Sequence, residues 1–272
     1  MRRTEAPAKL NLALVVGPCR PDGKHEVATV LQALDLCDEV ELEESPSFAV
    51  EGFPADTLVR GALAALAAAA GVEPRWRVRL RKRIPVAAGL GGGSSDAAAA
   101  LRLANALLPA PREEHELERI AAGIGADVPF FLREGPQLGH GDGSELTPLE
   151  LPQDYAVLLL LPHGEEKRST ADVYRRFAER HGARGFEERR AALLAALARV
   201  ERGRDLAALP GNDLASSPLA TELRALGAFR ADVTGAGPVV YGLFERAETA
   251  ALAGERLEHA GRIWLTRPRE RR

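Results

Sequence analysis

The 272-residue sequence predicts an α+β protein, and three observations carry that reading. Trp76, Val78 and Leu80 alternate with Arg77, Arg79 and Arg81, the period-two pattern of a strand with one buried and one wet face. Leu58–Ala70 is rich in Ala and Leu, holds no Pro and is closed by Gly71, which predicts a helix. Tyr155–Leu161 is an unbroken apolar run, as in a strand buried on both faces.

The remaining elements follow in order. Leu10–Val16 reads as a first strand. Val40–Glu44 and Phe48–Glu51 alternate weakly and can pair as two more. After the Trp76–Arg81 strand comes a glycine-rich loop, then a helix expected over Asp96–Leu108. Glu113–Ile124 places Leu117, Ile120, Ala121 and Ile124 on one helix face. Beyond the apolar run, helices are expected over Ala171–Glu179 and Glu187–Val200. Strands at Phe229–Val233 and Val239–Phe244 flank the turn Thr234–Pro238. A helix over Ala247–His259 and a strand at Arg262–Thr266 end the pattern. Polar residues and Pro152 interrupt it at Glu150–Asp154, so two domains are expected, 1–150 and 151–272.

Composition narrows the class. Hydrophobic residues are 46% and charged residues 28%, ordinary for a soluble globular chain. The formal net charge of -3 gives no basic field for nucleic acid, and the basic tail Arg267–Arg272 reads as a solvated end. No apolar run reaches the ~18 residues of a membrane span. Arg2-Arg3 before Leu10–Val16, with Cys19 after it, has the outline of an export signal. The stretch is short, contains Asn11, and Pro18 precedes the cysteine, so it reads as a strand and the chain as cytoplasmic. Cys19 and Cys37 make neither a disulfide framework nor a metal site.

The segment Pro85-Val86-Ala87-Ala88-Gly89-Leu90-Gly91-Gly92-Gly93-Ser94-Ser95-Asp96 is the most informative. A strand leads in and a helix leads out. Glycines let backbone approach a ligand closely, and successive N–H groups beside a helix N-terminus suit a phosphate. Ser94 and Ser95 can cap the helix or offer hydroxyls to phosphate or metal. There is no Gly-Lys-Ser/Thr, so this is not a P-loop, and the spacing is not the dinucleotide-binding one.

This loop resembles the second motif of the GHMP kinases, in which it binds the phosphates of ATP. Pro7-Ala8-Lys9-Leu10-Asn11-Leu12 resembles their first motif and Thr234-Gly235-Ala236-Gly237-Pro238 their third. The motifs come in the family's order and the likeness covers nearly the whole chain. Within the family, Arg20-Pro21-Asp22-Gly23-Lys24-His25-Glu26, Gly125-Ala126-Asp127-Val128-Pro129-Phe130-Phe131, Asn212-Asp213-Leu214 and Ser169–Tyr174 resemble the 4-diphosphocytidyl-2-C-methyl-D-erythritol kinases.

The resemblance implies a two-domain GHMP kinase fold, with a ribosomal-protein-like N-terminal domain, a ferredoxin-like C-terminal domain and the active site in the cleft between them. It implies ATP with Mg2+, no dedicated protein metal site, a small-molecule substrate, and a monomer or homodimer. Lys9 and Asp127 fall on the catalytic pair: a carboxylate that accepts the hydroxyl proton and an ammonium that keeps it ionised. Pro85 through Ser95, with Gly235 and Gly237, fall on the ATP site. Asn11, Lys24, His25 and Tyr174 fall on the substrate site, His25 at the edge of a cytosine and Tyr174 stacked on it. The chain departs from the family at four places. Lys24 stands where a tyrosine is usual, Thr57 where an asparagine touches the adenine side, and Ala236 where a hydroxyl residue is usual. Gly139-His140-Gly141-Asp142-Gly143 is a near match only. The residues leave room for a homoserine- or mevalonate-type kinase. They also leave room for a GHMP-fold sensor without turnover, against which Lys9 and Asp127 together argue.

Overall fold

Two long strands, β1 (Arg2–Cys19) and β2 (His25–Glu44), open the chain and pair with each other. The computed structural model describes residues 1–53, 56–164 and 169–270. Arg271 and Arg272 of the basic tail lie outside them. The expected first strand, Leu10–Val16, is the buried centre of β1. Residues 25–39 of β2 carry no clear strand signal in the sequence, because Gln32, Asp35, Asp38 and Glu39 break the apolar pattern.

The chain forms two compact units, neither a continuous run. The first is Met1–Ala8, Leu36–Val86 and Gly91–Glu134; the second is Lys9–Asp35, Ala87–Leu90 and Gly135–Arg272.

In the first unit β4 (Trp76–Arg81) pairs antiparallel with the end of β2 and parallel with β3 (Ala49–Glu51). The expected pairing of residues 40–44 with 48–51 is therefore corrected, because β4 lies between them. The register sets Glu39, Glu41 and Glu43 opposite Arg81, Arg79 and Arg77. This explains the charged face of β4. Arg77 and Arg79 each reach Glu43 and Glu51 at 3.2–3.7 Å. These pairs are solvated and favour the register more than they stabilise the fold.

The helices α1 (Leu58–Ala70), α2 (Gly92–Asn105) and α3 (Glu114–Ile124) pack together in this unit. Gly71 ends α1 in the left-handed conformation, its N–H on the carbonyls of Ala67 and Ala68. The buried run Ala97–Ala100 keeps α2 narrow where α1 lies against it. α2 starts four residues earlier than expected, inside the glycine run, because tertiary packing overrides the poor helix propensity of Gly.

In the second unit β5 (Gln137–His140) and β6 (Glu145–Pro148) form a hairpin beside β2. A four-stranded antiparallel sheet follows from β7 (Ala156–Pro162), β8 (Arg230–Val233), β9 (Val240–Phe244) and β10 (Gly261–Thr266), in the order β10-β7-β9-β8. Between β7 and β8 run α4 (Thr170–Glu179), α5 (Phe186–Leu197) and α6 (Pro218–Ala225); α7 (Ala247–Leu257) links β9 to β10. Helix α6 is not among the expected elements; Ser217 caps it and Pro218 opens it. This sequence and order of strands is the split βαββαβ arrangement of a ferredoxin-like domain. Leu158, Leu160, Val240 and Phe244 of the sheet close a core with Leu223 of α6 and Ala253 and Leu257 of α7. No helix among the described residues is long and apolar enough to cross a membrane.

Candidate active site

Lys9 is a lysine in a strand interior, 4% exposed. Burial of an ammonium is costly unless it is hydrogen-bonded, and its Nζ donates to Asn11 Oδ1 at 2.5 Å. Asn11 Nδ2 donates to Thr29 Oγ1 at 2.8 Å, and Thr29 Oγ1 donates to the Ala13 carbonyl at 2.8 Å. This chain of donors fixes which way the Asn11 amide faces, with its oxygen toward Lys9. The Asn11 backbone N–H donates to Thr234 Oγ1 at 3.1 Å, and that hydroxyl donates to the Gly89 carbonyl at 3.5 Å.

The three motifs meet here. The Lys9 N–H donates to the Leu90 carbonyl at 2.9 Å, and the Val239 N–H to that of Ala88 at 3.3 Å. Gly89 has φ +83, and a Cβ there would lie 2.4 Å from the Thr234 carbonyl oxygen. Gly235 has φ +57, and a Cβ there would lie 3.5 Å from Lys9 Nζ. Both positions favour glycine by conformation, and Gly89 demands it by space as well. The middle residue of the third motif, Ala236, packs on a core of Leu14, Val16, Val173 and Leu214 instead of offering a hydroxyl.

Asn212 holds the third loop from behind. Its Nδ2 donates to the carbonyls of Val233 at 2.8 Å and Gly235 at 2.7 Å, and its Oδ1 accepts from the Leu214 N–H at 2.8 Å. The next residue, Asp213, accepts from the Val16 N–H at 2.8 Å. Asn212→Ala is expected to cost about 1–3 kcal/mol, because two carbonyls and an N–H lose a partner. A lower Tm and a raised KM for ATP in the same variant check this.

Helix α2 begins with Gly92, behind Gly91 at φ +71, and no side chain caps it. Ser94 and Ser95 sit within its first turn, so the expected capping role is corrected. The Ser95 N–H already reaches the Gly91 carbonyl at 2.9 Å. The N–H groups of Gly92, Gly93 and Ser94 precede the first intrahelical bond, as the donors of an anion site do.

Asp127 lies in the turn between α3 and a 3-10 helix at Pro129–Leu132. It is half-buried. The Val128 N–H bonds to the Gly125 carbonyl at 3.0 Å, and the buried rings of Phe130 and Phe131 anchor the turn. Asp127 belongs to the first unit and Lys9 to the second.

His25 and Tyr174 come together, with ring centroids 5.2 Å apart, and Phe177 meets the His25 ring edge-on at 5.8 Å. His25 Nδ1 lies 2.8 Å from the Gly17 carbonyl, which can only accept. Nδ1 therefore carries the proton, and in the neutral ring Nε2 is an acceptor. Lys24 does not lie with these rings' polar contacts; its ammonium meets the Asp142 carboxylate in the β5–β6 turn. Burial works to raise the pKa of Asp142. Hydrogen bonds from Lys24 and Ser144, and the charge on Lys24, outweigh it and hold the carboxyl at about 2. The imperfect match at residues 139–143 thus supplies the partner of the substituted Lys24. A charge change of this kind is visible in a sequence only if both positions are read together.

Motif order, a glycine-lined loop at a helix start and a ferredoxin-like sheet define a small-molecule kinase of the GHMP class. The family model "GHMP kinases N terminal domain" matches residues 57–135. The chain is 40% identical over 271 residues to a 4-diphosphocytidyl-2-C-methyl-D-erythritol kinase of Anaeromyxobacter sp. (strain Fw109-5), covering 92% of this chain and 85% of that one. It is 35% identical over 284 residues to the Geobacter sulfurreducens protein of that name, covering 96% and 95%. A crystal structure of 4-(cytidine 5'-diphospho)-2C-methyl-D-erythritol kinase superposes with TM-score 0.79 at 34% identity, covering 98% of this chain and 99% of that one. The Methanococcus jannaschii mevalonate kinase superposes with TM-score 0.76 at 13% identity, a likeness of fold. The chain belongs to the 4-diphosphocytidyl-2-C-methyl-D-erythritol kinase family.

Proposed function

We propose that the protein transfers the γ-phosphoryl group of ATP to the 2-hydroxyl of 4-diphosphocytidyl-2-C-methyl-D-erythritol, a step toward isoprenoid precursors outside the mevalonate route. The observation that carries this reading is the buried Lys9 ammonium, oriented by Asn11 and set against both glycine loops. A costly buried cation beside phosphate-type loops fits phosphoryl transfer.

Asp127 accepts the proton of the 2-hydroxyl as its oxygen bonds to the γ-phosphorus. The bond from that phosphorus to the β,γ-bridging oxygen breaks, and ADP leaves. Lys9 is the electrostatic partner of Asp127 and offsets charge on the transferred group. Pro85–Ser95, Gly235 and Gly237 receive the nucleotide phosphates through backbone N–H groups. Magnesium, carried on the phosphates, would neutralise part of their charge. His25 reads the cytosine edge and Tyr174 stacks on it, while Asn11 and Lys24 complete the substrate side. The enzyme works in the cytoplasm as a monomer or homodimer, with family domains over 1–150 and 151–272.

The test is ADP release from Mg-ATP with the cytidyl substrate, beside homoserine, mevalonate and a blank without acceptor. Turnover with the cytidyl substrate alone is expected. Turnover with another alcohol only, or with none, overturns the assignment. Tyr174→Leu is expected to raise KM for the cytidyl substrate by about 5- to 150-fold, the equivalent of ~1–3 kcal/mol of stacking, and to leave KM for ATP within about twofold. Steady-state kinetics with each substrate varied in turn decides it.

A further inference from the structure

The first unit contains a buried charged cluster that the proposed chemistry does not use. Lys82 Nζ donates to Asp38 and, at 2.5 Å, to Asp96 Oδ2. Side-chain exposure is 15% for Lys82, 1% for Asp38 and 0% for Asp96. The other oxygen of Asp38 accepts the N–H groups of Arg83 at 2.5 Å and Ile84 at 2.8 Å.

The placement along the chain gives the cluster its meaning. Lys82, Arg83 and Ile84 come immediately before the glycine-rich segment, and Asp96 lies in the first turns of the helix that follows it. One three-residue group therefore pins the loop at both ends. Its packing is close: a Cβ on Gly92 would lie 3.1 Å from Ile84 Cγ2 and 3.4 Å from Asp38 Oδ2. The first residue of α2 thus rests directly on the brace.

We infer that Asp38, Lys82 and Asp96 form a brace that sets the glycine loop for the nucleotide, making Lys82 and Asp96 positioning residues for phosphoryl transfer. This rests on the reading of Pro85–Ser95 as the nucleotide loop. The energetics favour a role beyond cohesion. Two carboxylates and one ammonium out of water are a poor source of stability, and apolar side chains of similar volume serve a core as well or better. Directional charged bonds do what apolar contacts cannot: they fix where two backbone segments stand relative to each other.

The brace is also set to respond to pH. Burial pushes Asp96 up to about 7 against the pull of the Lys82 charge, and the Asp38 and Asp56 carboxylates add to the rise. The groups facing Asp96 are thus Lys82 ahead of the loop, Asp38 on β2 and Asp56 ahead of α1. Asp96 Oδ1 and Ser95 Oγ, on neighbouring residues, are buried without a hydrogen-bond partner. Loss of the Asp96 proton makes its bond from the Lys82 ammonium fully charge-assisted and tightens the brace, so nucleotide affinity rises as pH rises through neutrality.

The decisive variants are Asp96→Asn, Lys82→Arg and Lys82→Met, assayed in the full-length enzyme. ADP binding by calorimetry and KM for ATP and for the cytidyl substrate are measured from pH 6 to 8.5. Asp96→Asn is expected to abolish the inflection near pH 7 in wild-type nucleotide affinity. It is also expected to raise KM for ATP by about tenfold at pH 7, the weight of one charge-assisted hydrogen bond, with KM for the other substrate within about twofold. Lys82→Arg recovers most of what Lys82→Met loses; if Lys82→Met does not fold, Asp96→Asn carries the decision. An Asp96→Asn enzyme with wild-type nucleotide affinity and pH profile, whatever its Tm, overturns the brace. Gly89→Ala separates the two readings. Nucleotide affinity lost in Gly89→Ala but kept in Asp96→Asn sinks the brace and leaves the loop assignment standing. Affinity kept in both sinks the two together.

Discussion

Asp127→Asn is expected to lower kcat by about three orders of magnitude, while KM for ATP stays within about twofold. The amide has the shape of the carboxyl and can still accept a hydrogen bond from the substrate hydroxyl, but it cannot take up the proton. General-base contributions run to ~10²–10⁴-fold, which sets the size of the loss. The variant is expected to fold. The turn that carries Asp127 is held by the bond from the Val128 N–H to the Gly125 carbonyl and by the buried rings of Phe130 and Phe131, and neither changes. Rapid-quench measurement of the first turnover checks it, because release of ADP then cannot mask the chemical step. A variant that turns over at the wild-type rate removes Asp127 from the mechanism.

Gly89→Ala is expected to lower kcat/KM for ATP by about 100-fold or more. The added Cβ would stand 2.4 Å from the Thr234 carbonyl oxygen, and Gly89 sits at φ +83, where side chains are strained. The clash is with backbone, so no rotamer relieves it. The two loops must separate, and with them go the Thr234 contacts to Asn11 and Gly89 that hold the surroundings of Lys9. A displacement of ~1 Å at a reacting group is worth about 10²-fold. The left-handed strain adds ~1–3 kcal/mol of instability. Gly71→Ala separates the two effects. Gly71 has a similar φ of +67 at the end of α1, but nothing lies within 4 Å of its would-be Cβ. That variant is expected to lose about 1 kcal/mol of stability and none of its activity. Equal kinetic losses in both variants would show that strain alone, not the meeting of the loops, is responsible.

Much of the local structure was legible because it is written at short range. Leu58–Ala70 and Trp76–Arg81 have in the structure the bounds that their periodicity predicts. The strands and helix of 229–266 lie within two residues of expectation, since apolar runs and the turn residues between them are neighbours in sequence. The motif order likewise pointed to the GHMP class before any geometry.

Tertiary structure alone decided the rest. Residues 92–95 are helical because α2 packs on α1, with Leu58 against Gly93, whereas glycine by itself argues for coil. Strand β3 pairs with β4 and not with its neighbour β2, as register depends on which faces can be buried together. Asn11 and Thr234 are 223 residues apart, Lys24 and Asp142 are 118, and Lys82 and Asp38 are 44. Periodicity reports which face of an element is apolar and carries no record of the partner across the fold. The residue types of the site are therefore a property of the sequence, but the hydrogen bonds that aim Lys9, bind Lys24 to the hairpin and brace the glycine loop exist only once the chain has closed on itself.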